Sequence, residues 1–200
     1  MTEQSTVQHE DDQLVNLYDQ PELHEVQVRE DVILRPMQDS DAQEILAILN
    51  ADPSIREQVT VASRMHNEED VRREVASYQA DGSVIRYVIE QEGKCVGLVS
   101  FWRDTGFFGQ EAQPHKFGFG YFLNPTERGK GLVTDSVRAL METAQASFRV
   151  DSFIAFCEDA NQESVAILLK LGLEPTEVTY PEPAHAWLER MYEKRITDDR

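Results

Sequence analysis

Apolar positions along this chain fall into runs of two kinds. Lys116 to Leu123 is an aromatic, strand-like run, and Phe153 to Cys157 is a short apolar one. Gly131 to Phe148 and Asn161 to Gly172 read as helices. In the second helix Val165, Leu168, Leu169 and Leu171 give an apolar side, Asn161 is a good N-cap and Gly172 a stop. Met1 to Asp31 differs from the rest. Its acidic residues far outnumber its one basic residue, Arg29, and its apolar residues are scattered. Leu14, Val15, Leu17 and Tyr18 suffice for one helical turn against the domain or a partner. The expectation is a mobile acidic extension over 1–30 and one folded domain over 31–197.

The most informative stretch lies between the aromatic strand and the long helix: Leu123-Asn-Pro-Thr-Glu-Arg-Gly-Lys-Gly-Leu-Val-Thr134. Pro125 stops the strand, because proline gives a sheet ladder no N–H. Gly129 and Gly131 allow close approach of another group. Arg128 and Lys130 add positive charge where a helix presents unpaired N–H groups. Such a loop binds phosphate. A dinucleotide-binding fingerprint needs a third glycine where Thr134 stands, and a P-loop needs Ser or Thr where Gly131 stands. Both patterns fail.

What remains, Arg128-Gly-Lys-Gly-Leu132 after a strand and before a helix, resembles motif A of the GNAT superfamily of acetyl-CoA-dependent N-acetyltransferases. The longer string from Asn124 is similar to the Rim-type branch, the ribosomal-protein N-terminal acetyltransferases. Asn161-x-x-Ser164 followed by Leu-Lys-Leu-Gly-Leu173 resembles motif B. Val32 to Ala42 resembles the opening strand and first-helix entry, with Ser40 or Asp39 as cap. Tyr87–Glu90 and Lys94–Trp102 resemble the central hairpin, turning at Glu92-Gly93, and Ala186–Ile196 the closing strand. The resemblance implies an α+β GNAT fold: a central mixed, mostly antiparallel, splayed sheet flanked by helices on both faces.

The same resemblance implies acetyl-CoA as cosubstrate, held by Phe122, Leu123, Arg128, Gly129, Lys130, Gly131, Leu132, Val133, Asn161 and Ser164. It also implies direct transfer to a primary amine in a ternary complex, with a backbone N–H at the end of Phe117–Leu123 stabilising the oxyanion. The acidic residue many members carry two positions before Gly120-Tyr121 is here Gly118, and the helix tyrosine that serves as acid is here Leu168. Ser164, Tyr121 and Glu90 are the catalytic candidates in their place, with His115 a further possible base. An α-amine, with a pKa of about 7.7–8.0, needs less help than a lysine at about 10.4. The expected acceptor is therefore a protein N-terminus. A small cationic amine (a polyamine or aminoglycoside) and a non-catalytic acetyl-CoA sensor are the alternatives.

Composition adds bounds. The formal net charge of −18 disfavours nucleic acid and suits a cationic partner, although solubility alone accounts for it equally. No apolar run approaches the roughly 18 residues of a membrane span, and Met1 to Asp12 has no secretory core. Cys95 and Cys157 lie in apolar runs and read as buried thiols of a cytoplasmic protein. The histidines have no metal-ligand spacing, so no metal is expected. Aromatic residues in Asp104–Pro114 suggest a substrate wall or a dimer contact, in a monomer or homodimer, or equally a loop folded back on the core. Pro181–His185 borders the acceptor site by resemblance.

Overall fold

Eight strands form one sheet in a computed structural model that describes residues 16–106, 111–181 and 188–197. Strand order is β1-β2-β3-β4-β5-β6-β8-β7. The strands are β1 Val26–Arg29, β2 Val32–Pro36, β3 Val84–Gln91, β4 Lys94–Arg103, β5 Lys116–Leu123, β6 Ser152–Cys157, β7 Glu174–Pro181 and β8 Leu188–Arg195. The helices are α1 Ala42–Ala51, α2 Ser54–Gln58, α3 Glu68–Asp81, α4 Leu132–Ser147 and α5 Gln162–Lys170. All neighbouring strands are antiparallel except β5 and β6. That parallel pair holds only from Lys116–Ser152 to Gly118–Ile154. Beyond it the two strands part, and the opening between them positions the site.

Alternation along each strand divides the core between the two faces. Ile85, Tyr87, Val99, Phe101 and Phe119 face α4, where Val137, Leu140 and Ala144 are buried. Val88, Leu98 and Phe122 face the other way, under Ile45 and Leu49 of α1 and Val71 and Val75 of α3. The β3–β4 hairpin turns at Glu92-Gly93, both at positive φ, which a two-residue hairpin turn requires.

Several expectations are corrected. The boundary at 31 is too late, because β1 pairs with β2 and lies upstream of it. Leu17, Leu23 and Val26 are buried in the main core, so residues 16–29 are built into the fold rather than mobile. Tyr87 Oη donates to the Leu23 carbonyl and helps fasten this segment. Leu14 and Val15 lie outside the described residues. The strand from Val32 is therefore the second, not the first. Neither Ser40 nor Asp39 caps the following turn. Gln38 and Asp41 form a reciprocal capping box instead. On α5, Leu168 is buried but Leu169 is exposed, so the apolar side of the helix excludes Leu169. The strand β7 carries no clear apolar alternation and is mostly exposed at the sheet edge.

Candidate active site

The parting of β5 and β6 opens a cavity of about 930 Å³ that runs along both faces of the sheet's centre. Its first half is backbone. The Asn124 amide donates to Val96 across β4, so by alternation the amides of Leu123 and Tyr121 point away from β4, into the opening. The β5–β6 ladder ends at Gly118, so among the described residues these two amides have no strand partner on that side. After Leu123, the Asn124 side chain caps a short turn at Pro125–Glu127, and the chain then passes Gly129 and Gly131, both at positive φ, into α4. A Cβ at Gly129 would meet no atom within 4 Å, so the loop lies open. The first amides of α4 have no intrahelical acceptor and carry the positive end of the helix dipole. Arg128, Gly129, Gly131, Leu132 and Val133 line this half, with Phe122 and Leu123 behind them.

The loop's cations are held by neighbouring acids. Arg128 pairs with Asp52, just after α1, at 2.6 Å, and Lys130 pairs with Glu127 at 2.7 Å. The Asp52 carboxyl sits below its ordinary pKa, first through its hydrogen bond from Ser54 and then through Arg128. Lys130 does not line the cavity, unlike the other residues assigned to the cosubstrate from sequence. Arg29 of β1 reaches the same loop: it bonds Asp135 and donates to the Lys130 carbonyl at 3.0 Å. Sequence reasoning placed Arg29 in a mobile extension and so missed it.

Deeper in the opening stand Tyr121, Cys157 and Ser164. Asn161 caps α5 by accepting the Ser164 amide at 3.1 Å, which fixes the start of that helix against the end of β6. The Tyr121 hydroxyl is buried and has no hydrogen-bond partner of good geometry among the described residues. The Ser164 hydroxyl stands close enough to pull its pKa down somewhat, but burial dominates and raises it. Burial likewise pushes the Cys157 thiol up to about 12, helped by the charges of Glu189, Asp159 and Glu158. Tyr121 is thus a neutral, buried phenol lining the cavity with its hydroxyl unpartnered among the described residues.

The second half of the cavity lies over β3 and β4 on the α3 face. Trp102 of β4 spreads its indole across Gly118 and Gly120 of β5. A Cβ on Gly118 would come within 2.2 Å of that indole. The position is glycine because tryptophan occupies its space. The acids lining the cavity are Asp81, Glu158, Glu163 and Glu189, none of them on β5. Glu189 of β8 was not anticipated.

Glu90 is not in this cavity. Its carboxylate is bonded by Arg35, which also makes a two-pronged pair with Asp41 and is held above its ordinary pKa chiefly by that partner. Glu90 and Asp41 thus serve to fix β2, β3 and the entry to α1. His115 lines a separate cavity of about 230 Å³. Phe107, Phe108 and residues 182–187 lie outside the described residues.

Comparison with known proteins follows the same lines. The acetyltransferase (GNAT) domain family matches residues 31–174. A curated relative in Bacillus subtilis (strain 168), the uncharacterized N-acetyltransferase YnaD, is 25% identical over 107 residues, which is 53% of this chain and 59% of that one. The fold is shared with RimL, a ribosomal L7/L12 alpha-N-protein acetyltransferase in complex with coenzyme A, with a TM-score of 0.72 at 18% identity over 86% of this chain and 98% of that one. It is shared also with AAC(6')-Ib in complex with ribostamycin and coenzyme A, with a TM-score of 0.69 at 24% identity over 83% and 94% of the two chains. No helix among the described residues is long and apolar enough to cross a membrane. With more than half of its length matched by one family, the chain belongs to the acetyltransferase (GNAT) domain family.

Proposed function

We propose that the protein transfers acetyl from acetyl-CoA directly to a primary amine, and that the amine is the α-amine of a peptide or protein. Acetyl-CoA supplies the activated acyl group when bound. The Gly129–Gly131 loop and the first turn of α4 fit its pyrophosphate. The amides of Tyr121 and Leu123 fit its pantetheine arm and a developing oxyanion. Asn161 holds the α5 turn that carries Ser164. The Tyr121 hydroxyl, assisted by Ser164, donates a hydrogen bond to the departing sulfur.

One observation carries the choice of amine: Trp102 fills the space beside Gly118, so β5 offers no carboxylate to deprotonate the acceptor. An amine with a pKa near 8 arrives partly neutral at physiological pH, whereas a lysine does not. Its proton leaves through water, with Glu189 the carboxylate that faces this region from β8. RimL, by its description, modifies such an amine, which supports the reading. The test is thiol release from acetyl-CoA with peptides beginning in Ser, Ala or Thr, against polyamines and aminoglycosides. Release with the peptides is expected, and release only with the small cations would overturn the choice of acceptor.

A further inference from the structure

The floor of the acceptor half carries positive charge, against the trend of an acidic chain. Arg86 of β3 lines the cavity although its side chain is only 8% exposed. Its guanidinium lies over the Tyr78 ring of α3, 4.0 Å from the centroid, and one nitrogen donates to the Ser100 hydroxyl. Its charge partner is Glu74 at 3.8 Å, too far for a hydrogen bond. Glu74 is already engaged by Arg64, whose nitrogens lie 2.9 Å and 3.2 Å from its two oxygens. Arg64 also donates to Tyr78 Oη at 2.8 Å. Two guanidinium groups thus share one carboxylate. Asp81, the acid at this end of the cavity, is turned to the Ser83 amide.

Arg86 Nε is buried and has no hydrogen-bond partner among the described residues. A buried cation short of counter-charge is costly, and an arriving anion removes that cost. Burial also lowers the Arg86 pKa, the direction expected for such a group. Arginine is suited to the task, since its planar fork matches a carboxylate.

We infer that this floor is a subsite for a carboxylate on the acceptor, read by Arg86 with Arg64 behind it. The inference rests on the acetyl-transfer reading of the same cavity and narrows it to acidic acceptors. Register gives the spacing. Arg86 stands opposite Ser100, and Ser100 opposite Gly120, so Arg86 is two strands from β5, ~10 Å at the usual strand separation. The reacting amine lies by β5, so the carboxylate lies a few bonds from it. An N-terminal residue followed by aspartate has that arrangement, and so does a free amino-dicarboxylate. The Trp102 indole walls the space between the two groups. A polyamine or aminoglycoside would set its charges against Arg64 and Arg86, a repulsion that excludes it.

The experiment compares kcat/KM for the amides of Ser-Asp-Phe, Ser-Asn-Phe and Ser-Lys-Phe. Free aspartate and glutamate, each beside its side-chain amide, serve as the small-molecule arm. The aspartyl peptide should exceed the asparaginyl one by roughly tenfold or more, the value of a charge-assisted pair. Arg86→Gln should collapse that ratio toward unity, and Arg86→Lys should keep part of it. Glu74→Gln, which frees both arginines, should widen it and guards against an Arg86 variant that fails to fold. Equal rates for the aspartyl and asparaginyl acceptors in both arms, or a preference for the lysyl peptide, would overturn the subsite. If no acceptor releases thiol, the transferase reading fails, and calorimetry of the aspartyl and asparaginyl peptides decides the subsite alone. Tighter aspartyl binding that Arg86→Gln abolishes supports it, and equal binding overturns it.

Discussion

The half of the cavity proposed for the cosubstrate is made mostly of backbone, and the half proposed for the acceptor is made of side chains. In the first, glycines at positive φ, strand amides turned into the opening and the start of α4 form the contact surface. Its charged side chains are occupied with Asp52 and Glu127. In the second, Trp102, Arg86, Arg64 and Tyr78 form the walls, and the backbone beneath them is an ordinary sheet. The difference teaches where each kind of specificity is stored. A surface of amides recognises a constant group such as a diphosphate. A surface of side chains can be rewritten for each acceptor without moving the sheet.

This comparison can be broken at its strongest point with Gly131→Val. The residue sits at φ +79 with the Arg29 guanidinium 3.2 Å from where a Cβ would stand. A β-branched residue there is strained by about 1–3 kcal/mol and also narrows the anion approach. Acetyl-CoA affinity should fall on the order of 100-fold in calorimetry, a loss of about 2.7 kcal/mol, with the melting curve still cooperative. Unchanged affinity in a folded variant would mean that the loop does not hold the phosphates.

A next-largest effect is expected in the acceptor half. Gly118→Glu places a carboxylate on β5, yet it should lower kcat/KM for the acceptor by about tenfold, because overpacking against Trp102 costs about 1–3 kcal/mol. Adding Trp102→Gly should recover part of the loss, a coupling that a double-mutant cycle measures. A simple gain in rate from Gly118→Glu would show that the space is not filled in solution.

Tyr121→Phe sharpens the boundary between the halves. It removes the unspent hydroxyl without changing the ring, so kcat should fall by about tenfold while the KM for acetyl-CoA changes little. Ser164→Ala should have a smaller effect of the same kind. A larger rise in KM than fall in kcat would make both residues binding groups only.

The smallest effect expected is chemical. The Cys157 thiol is pushed up to about 12, so it is protonated across neutral pH and its thiolate appears only as pH rises toward that value. At pH 8 the thiolate fraction is about 10⁻⁴, so alkylation by iodoacetamide should be slower than for a free cysteine by roughly a thousandfold or more, and slower again with acetyl-CoA present. Activity should survive it. Rapid alkylation at pH 8 would place Cys157 outside the buried end of the cavity.

The strand-to-helix loop and the α5 cap were legible in the sequence because their signals are local. Gly129, Gly131, Pro125 and the Asn161 cap each act on their immediate neighbours, and all but Pro125 line the cavity. The half proposed for the acceptor was not, because Arg86, Trp102 and Glu189 come from three different strands and line one cavity only through the tertiary fold. Each reads in isolation as an ordinary strand residue. Glu90 misled for the same reason: a carboxylate at the end of a strand says nothing of Arg35 and Asp41 waiting beside it. The segment 16–29 was misread because its buried residues are few and widely spaced: Leu17 belongs to a cluster of only one turn, and Leu23 and Val26 stand singly among polar residues. Their burial is set by the sheet they cover. The net charge of −18 suggested a cationic partner, yet the cavity floor carries an excess of arginine, since charge summed over a chain does not describe one pocket.

The most direct test of the central claim uses one peptide with a free N-terminal serine, an aspartate next to it and a lysine further on. After incubation with acetyl-CoA and the protein, fragment mass spectrometry locates the acetyl group. Acetylation of the α-amine alone is predicted. Acetylation of the lysine in preference to the α-amine, or an unmodified peptide with acetyl-CoA demonstrably bound, would contradict the account.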